Sequence, residues 1–152
     1  AGIKNYLVEL GGEIRLKGRK LPGNEKLKVG IESPPGDEMD EEIIQQVIEL
    51  DSGAITTSGN YRKYYESNGK KISHLIDPRT GYSIQNEMIS ATVYAKDATT
   101  ADAFDNALMV MGIDSALHFV EARKELAAYF IYKRKDGTVA DTATLAFYKI
   151  MQ

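Results

Sequence analysis

Met88-Ile89-Ser90-Ala91-Thr92-Val93-Tyr94-Ala95-Lys96, followed by Thr99 to Gly112, is the stretch that decides the fold. The first run is β in character, because Val, Ile, Thr and Tyr pack well on a pleated surface. From Thr99 the period changes. Ala103, Ala107, Val110 and Met111 recur at helical spacing, and Gly112 suits the position just past a helix end. Asp114 can then cap a second helix running to about Arg123. The remainder of the chain is β-like on both sides of this pair. The pattern predicts an α+β fold, a mainly antiparallel sheet with two consecutive helices.

Working back towards the N-terminus, Tyr6–Leu10 and Glu13–Lys17 flank Gly11-Gly12, and the second run alternates apolar and charged side chains. Leu27–Ile31 repeats the pattern. Ser33-Pro34-Pro35-Gly36-Asp37-Glu38 reads as a surface loop. Ile43–Leu50 fits helix or strand, and its β-branched content with the Asp51-Ser52-Gly53 turn behind it tips the balance to strand. Asn68-Gly69 is a hairpin signal joining a Tyr-rich strand around Tyr61–Tyr65 to Lys71–Ile76. Towards the C-terminus, Leu126–Lys133 and Leu145–Ile150 predict a closing β pair around Asp136-Gly137.

The 152 residues suit one compact domain with a sizeable core. Nineteen basic residues against twenty-two acidic leave a net charge of −3, with no basic run or stripe, which argues against a nucleic-acid partner. The absence of Cys removes disulfides, thiolate nucleophiles and Cys-based metal sites from consideration. No stretch approaches the roughly 18–20 continuous apolar residues that span a bilayer. Nor does an N-terminal pattern read as a signal peptide.

Only two histidines are present. His118 lies amid Leu117, Phe119 and Val120 and reads as an ordinary helical residue. Alternation puts His74 on the same strand face as Ile72 and Ile76, before the rigid turn Asp77-Pro78-Arg79-Thr80-Gly81. Proline and glycine shape such a turn so that it can aim a carboxylate and a hydroxyl outward beside an imidazole that exchanges protons near neutral pH. A structural turn beside a plain strand histidine fits these residues equally well. Thr56-Thr57-Ser58-Gly59-Asn60 and Gly11-Gly12 each offer backbone N–H groups to an anion, or form ordinary turns. Thr99-Thr100-Ala101-Asp102 looks like a capping box with Thr99 as the N-cap. Asp102 and Asn106, four apart, share a helix face, with Asp105 nearby, and a carboxylate plus an amide oxygen suits a hard cation such as Mg²⁺.

Taken together these segments resemble the ApbE-type flavin transferases, the FAD:protein FMN transferase family. The matching pieces are Tyr6-Leu7-Val8-Glu9-Leu10-Gly11-Gly12-Glu13-Ile14, Val29-Gly30-Ile31-Glu32-Ser33-Pro34 and Thr57-Ser58-Gly59-Asn60-Tyr61. His74-Leu75-Ile76-Asp77-Pro78-Arg79-Thr80-Gly81 is the most specific, and Thr100-Ala101-Asp102-Ala103-Phe104-Asp105-Asn106-Ala107-Leu108 with Val110-Met111-Gly112 completes the set. The resemblance implies a T-fold-like C-terminal portion of such a domain across residues 1–152, with the N-terminal half of the same protein absent.

The activity the resemblance implies is Mg²⁺-dependent transfer of FMN from FAD to a threonine hydroxyl of a target protein, with release of AMP. His74 would be catalytic. Gly11, Gly12, Thr57, Ser58, Gly59, His74, Asp77, Thr80 and Gly81 would bind the flavin nucleotide. Asp102 and Asn106 would hold the metal, Asn106 standing where the family commonly has Thr. The implied acceptor is a subunit of a membrane redox complex. Such enzymes are exported, periplasmic or lipid-anchored. FAD hydrolysis to FMN and AMP, or a non-catalytic flavin-nucleotide-binding module, are the alternatives.

Overall fold

The computed structural model describes residues 2–34, 44–60, 64–67 and 70–151. Most of the expected 33–38 loop, residues 61–63 of the expected Tyr-rich strand and the Asn68-Gly69 turn lie outside them. The elements run β1 (Tyr6–Leu10), β2 (Glu13–Lys17), β3 (Leu27–Glu32), β4 (Ile44–Leu50), β5 (Ser52–Gly59), β6 (Tyr64–Ser67), β7 (Lys70–Ser73) and β8 (Met88–Ala95). Then follow α1 (Ala98–Met111), α2 (Ile113–Glu121), β9 (Leu126–Lys133), β10 (Val139–Ala143) and α3 (Leu145–Tyr148). A six-stranded sheet in the order β1-β2-β5-β8-β9-β10 forms the centre, with every neighbouring pair antiparallel. The fold is α+β, as the sequence predicts.

Strand alternation sorts the core into two layers. Leu126, Ala128 and Phe130 of β9 face α1 and α2, while Ala127, Tyr129 and Ile131 face the other side. That is why β9 reads as one continuous apolar run: both of its faces are covered. The second face is closed by the β3–β4 hairpin, through Val29, Ile31, Ile48 and Leu50, and by Phe147 of α3. Phe147 stacks on Tyr129 with ring centroids 5.9 Å apart.

Several expectations are corrected. The expected strand Leu145–Ile150 is helical at Leu145–Tyr148, and the partner of β9 is Val139–Ala143. Thr144 makes the difference: its hydroxyl accepts the Phe147 N–H at 3.4 Å and starts a helical turn that drops Phe147 into the core. The hydroxyl-rich segment from Thr56 is not a turn: Thr56–Gly59 form the second half of β5, paired with β8, and Ser52-Gly53 of the expected turn are already strand. Gly53 permits this because its φ of +115° and its contact with the Tyr94 ring leave no room for a side chain.

The caps also differ. Asp97, not Thr99, is the N-cap of α1; its carboxylate accepts the Thr100 N–H and the Thr100 hydroxyl, each at 3.0 Å. A charged acceptor suits the positive helix end better than a hydroxyl. Asp102 therefore lies beyond the first turn and is free of capping duty. Helix α2 starts from Gly112 rather than Asp114, with Glu87 Oε1 accepting the Ile113 N–H at 2.8 Å, and it ends at Glu121.

The buried stripe of α1 is Ala101, Asp105, Leu108 and Met109, whereas Ala103 is exposed and Ala107, Val110 and Met111 are only half-buried. A carboxyl in the core-facing stripe hides the true phase of the helix. Burial pushes the Asp105 carboxyl up to about 7, against hydrogen bonds from Asn106 and Thr56 that pull it down, and the nearby Asp102 and Glu13 charges push it further.

Two stability measurements follow from this packing. Asp97→Ala should cost about 0.5–2 kcal/mol in denaturant unfolding while Thr99→Ala costs almost nothing; the reverse order would restore Thr99 as the cap. For Asp105 the folded value lies above the unfolded 3.8. Its contribution is therefore fully present below the unfolded value and is lost as the pH rises through about 7. Asp105→Asn should therefore gain on the unaltered protein between about pH 4 and pH 7, by on the order of 4 kcal/mol at most, and level off above that range. Parallel stability–pH curves would show that Asp105 ionises normally.

Candidate functional site

The pairing of β2 with β5 runs from Lys17↔Ser52 to Ile14↔Ile55 and stops, because the chain turns away at Gly11-Gly12. Thr56–Gly59 continue β5 with β8 on one side and, among the described residues, no strand on the other. A cleft of about 600 Å³ opens at this step in the sheet, within the size range of ligand pockets. Six separated parts of the chain wall it: the Gly11-Gly12 turn with its flanks, β3, the end of β5, His74, Thr92 of β8, and one face of α1.

Helix α1 brings Asp102, Asp105 and Asn106 to the cleft, at spacings of three and four that place them on one face. The Asn106 amide is held at both ends. Its Oδ1 accepts the Ser58 hydroxyl at 2.9 Å, and its Nδ2–H donates to Asp105 Oδ1 at 3.0 Å. The Asn106 backbone N–H donates to that same carboxylate oxygen. Asp102 is exposed, and among the described residues its carboxylate has no hydrogen-bond partner. The Thr56 hydroxyl is fully buried close to Asp105 yet completes no hydrogen bond of normal geometry. Thr57, on the opposite face of β5, shares a 2.9 Å hydrogen bond with the Thr92 hydroxyl across the β5–β8 pair.

Two glycines make the opposite wall. Gly11 and Gly12 have φ of +68° and +106°, conformations that side chains rarely adopt, so the tight return from β1 to β2 needs them. The Gly12 N–H is already engaged, donating to Glu9 Oε1 at 2.7 Å. An anion seeking that N–H meets a carboxylate first.

His74 follows β7, which ends at Ser73 rather than Ile76, and it stands exposed at the cleft. Its neighbour Leu75 packs on the core beneath the helices and anchors the segment. The turn beyond is self-contained. Asp77 accepts from the Arg79 backbone N–H at 2.9 Å, from Nε at 2.9 Å and from Nη2 at 2.8 Å, and this guanidinium holds its carboxyl below the usual range. The Asp77 carbonyl accepts the Gly81 N–H at 2.8 Å, and Thr80 Oγ1 accepts the Tyr82 N–H at 3.2 Å.

The structure thus brings Gly11, Gly12, Thr57, Ser58, Gly59, His74, Asp102 and Asn106 to one cleft, and leaves Asp77, Thr80 and Gly81 in the turn behind His74. Asp77 and Arg79 border a second cavity of about 370 Å³ at the start of α2. Sequence reasoning did not single out Glu9, Glu13, Glu32 or Thr92, which also line the main cleft. Glu9, Glu13 and Glu32 stand within the matching segments, but no local pattern places them or Thr92 at the cleft; the packing of the strands does.

Electrostatically the cleft is acidic. Glu9, Glu13, Glu32, Asp102 and Asp105 line it, with His74 and no Lys or Arg among the described lining residues. No group of three or more His, Asp or Glu side chains stands ready to hold a metal among the described residues. The available donors are nevertheless all oxygen, a carboxylate at Asp102 and an amide at Asn106. That set fits a hard cation which keeps water or takes phosphate oxygens for its remaining positions.

Comparison with known proteins places the chain. Residues 1–130 match the model of the ApbE family. A FAD:protein FMN transferase of Haemophilus influenzae is 40% identical over 149 residues, covering 98% of this chain and 42% of that protein. The Vibrio cholerae enzyme of the same name is 43% identical over 136 residues, covering 90% of this chain and 39% of that protein. Among solved structures, flavin transferase ApbE from Vibrio cholerae superposes with a TM-score of 0.80 at 38% identity, covering 98% of this chain and 45% of that one. The apo flavinyl transferase ApbE of Pseudomonas stutzeri gives 0.79 at 36% identity, with 98% and 44% covered. The chain spans about two fifths of the length of these curated relatives. It belongs to the ApbE family.

Proposed function

We propose that this chain supplies the metal- and proton-handling wall of an enzyme that transfers FMN from FAD to a threonine hydroxyl of a target protein, releasing AMP. One observation carries the reading: His74, Asp102 and Asn106 meet at a cleft with five carboxyl groups and no Lys or Arg among its described lining residues. A diphosphate cannot enter such a field without a cation to neutralise it. Asp102 and Asn106 Oδ1 would hold that cation, Mg²⁺, which when bound supplies charge neutralisation to phosphate oxygens.

The remaining work falls to side chains. In the transfer a new bond forms between the threonine oxygen and the phosphorus of the FMN half. The anhydride bond to AMP breaks, and AMP departs with the bridging oxygen. The hydroxyl proton goes to an imidazole nitrogen of His74, which stands at the open side of the cleft where an acceptor protein can reach it. Thr57, Ser58 and Gly59 form the floor. Leu75 and the self-braced turn from Asp77 keep the histidine segment from swinging away.

The relatives' activity resides in chains more than twice this length, so the acceptor, a subunit of a membrane redox complex, and export to the periplasm or a lipid anchor stand as part of the same proposal. No helix among the described residues is long and apolar enough to cross a membrane. A non-catalytic flavin-nucleotide-binding module is the second reading, favoured by the engagement of both ends of the Asn106 amide within the chain.

Turnover separates the two. In the intact encoded protein, His74→Gln should lower FMN transfer to an acceptor by roughly 10²–10⁴-fold with FAD affinity little changed, the usual worth of a general base. Normal transfer in the variant would make the imidazole structural, and no transfer in the unaltered protein would favour the binding module. Asp102→Ala should sharply reduce the rise in thermal midpoint that Mg²⁺ produces with saturating FAD while leaving the metal-free midpoint nearly unchanged, as mass action requires. An intact Mg²⁺ increment would remove Asp102 from the metal site.

A further inference from the structure

We infer that Asp105 is a positioning residue that sets which end of the Asn106 amide faces the cleft, and so makes Asn106 an oxygen donor. The inference deepens the proposed function and rests on it for the role of Asn106.

A primary amide presents two nearly isosteric ends with opposite chemistry. Its oxygen can serve a hard cation and its NH₂ cannot. In α1 the Asn106 side chain lies between two partners of different kinds. Ser58, on β5, offers a hydroxyl at 2.9 Å. A hydroxyl donates or accepts as required, so it satisfies either orientation and chooses neither. Asp105 Oδ1 receives both the Asn106 backbone N–H and the Asn106 Nδ2–H. An oxygen already facing a backbone donor acts only as an acceptor. Turning the amide over would set two acceptor oxygens against each other, so Nδ2 stays on Asp105 and Oδ1 stays on the cleft side. That oxygen has a second lone pair beyond the one Ser58 uses.

Location strengthens the argument. Asp105 is 2% exposed and lies in the buried stripe of α1 with Ala101, Leu108 and Met109. Water cannot easily replace it as acceptor if it is removed. A buried carboxyl there costs stability, and an apolar residue would pack the stripe better. Two hydrogen bonds run to Asp105 from Asn106, one residue on, which lines the cleft.

The test is metal affinity rather than turnover. Mg²⁺ is titrated into the intact encoded protein at saturating FAD, following the thermal midpoint, with circular dichroism confirming the fold of each variant. Asp105→Ala should raise the Mg²⁺ concentration for half the shift by about 10–100-fold, the usual effect of losing an outer partner of a ligand, and Asp105→Asn should stay within about 3-fold because its amide oxygen can still accept from Nδ2. In an Asn106→Ala background, Asp105→Ala should add nothing further.

Wild-type affinity in Asp105→Ala, or equal losses in Asp105→Ala and Asp105→Asn, would overturn the inference, the latter by showing that charge rather than orientation matters. Additive losses in the double variant would overturn it too. Asn106→Ala with an unchanged Mg²⁺ response would remove Asn106 from the site and end the inference while leaving transfer through Asp102 and His74 standing. An unaltered protein with no Mg²⁺ response would fail the functional reading itself.

Discussion

Helix α1 lies across β5 and β8, held there by Ala101, Leu108 and Met109 against Ala54, Ala91, Val93 and Ala95. Small residues in the strands let the helix sit close, and close packing fixes its rotation and its position along the sheet. Everything at the cleft depends on that fit. With Ala101 and Leu108 buried, Asp102 and Asn106 are exposed beside the unpaired end of β5, within reach of Ser58 and across from Gly11-Gly12. A rotation of one residue about the helix axis, roughly 100°, would carry them off the cleft together. The cap at Asp97 defines where the helix begins, and the sharp bend at Gly112 defines where it stops, so the same packing also spaces α1 from α2.

The step in the sheet is the second half of the design. β2 is five residues long and leaves β5 after Ile14↔Ile55, while β5 continues to Gly59. Were β2 to continue, the cleft would be filled by a strand. Instead the chain reverses through two glycines in positive-φ conformations and returns as β1. The Glu9 carboxylate then occupies the Gly12 N–H of that turn. The wall is therefore built to repel bare anions and to accept them only with their charge matched, a selectivity that lysine or arginine in the same places would abolish.

Most of this architecture is readable in the sequence where a local pattern has one cause. The strands through Lys17, the antiparallel pairing of β6 with β7, the β8 run and the two consecutive helices all follow from period, turn residues and propensity. The failures share a physical origin. Thr56 to Gly59 reads as a turn because Ser58, Gly59 and Asn60 are turn residues, and only pairing with β8 makes the segment a strand. Leu145–Ile150 has strand composition, but Thr144 captures the Phe147 N–H and turns it into a helix. The site residues His74, Asp102 and Asn106 were visible as motifs. Glu9, Glu13 and Glu32 stand inside the other matching segments, but no spacing along the chain encodes their meeting at one cleft, which the packing of the strands creates.

The misread phase of α1 is the most instructive of these errors. Counting apolar residues selects Ala103, Ala107, Val110 and Met111, because Asp105 interrupts the stripe that is actually buried. A helix built only for packing would carry an apolar side chain there, and its periodicity would then be plain. Local rules fail most informatively where a residue serves something other than packing. Asp105 is tied to Asn106 by two hydrogen bonds to one oxygen, with the buried Thr56 hydroxyl beside it. The residue that obscures the helix in the sequence is thus the same one that disciplines the amide at the cleft. In this molecule the conflict between pattern and structure points directly at the site.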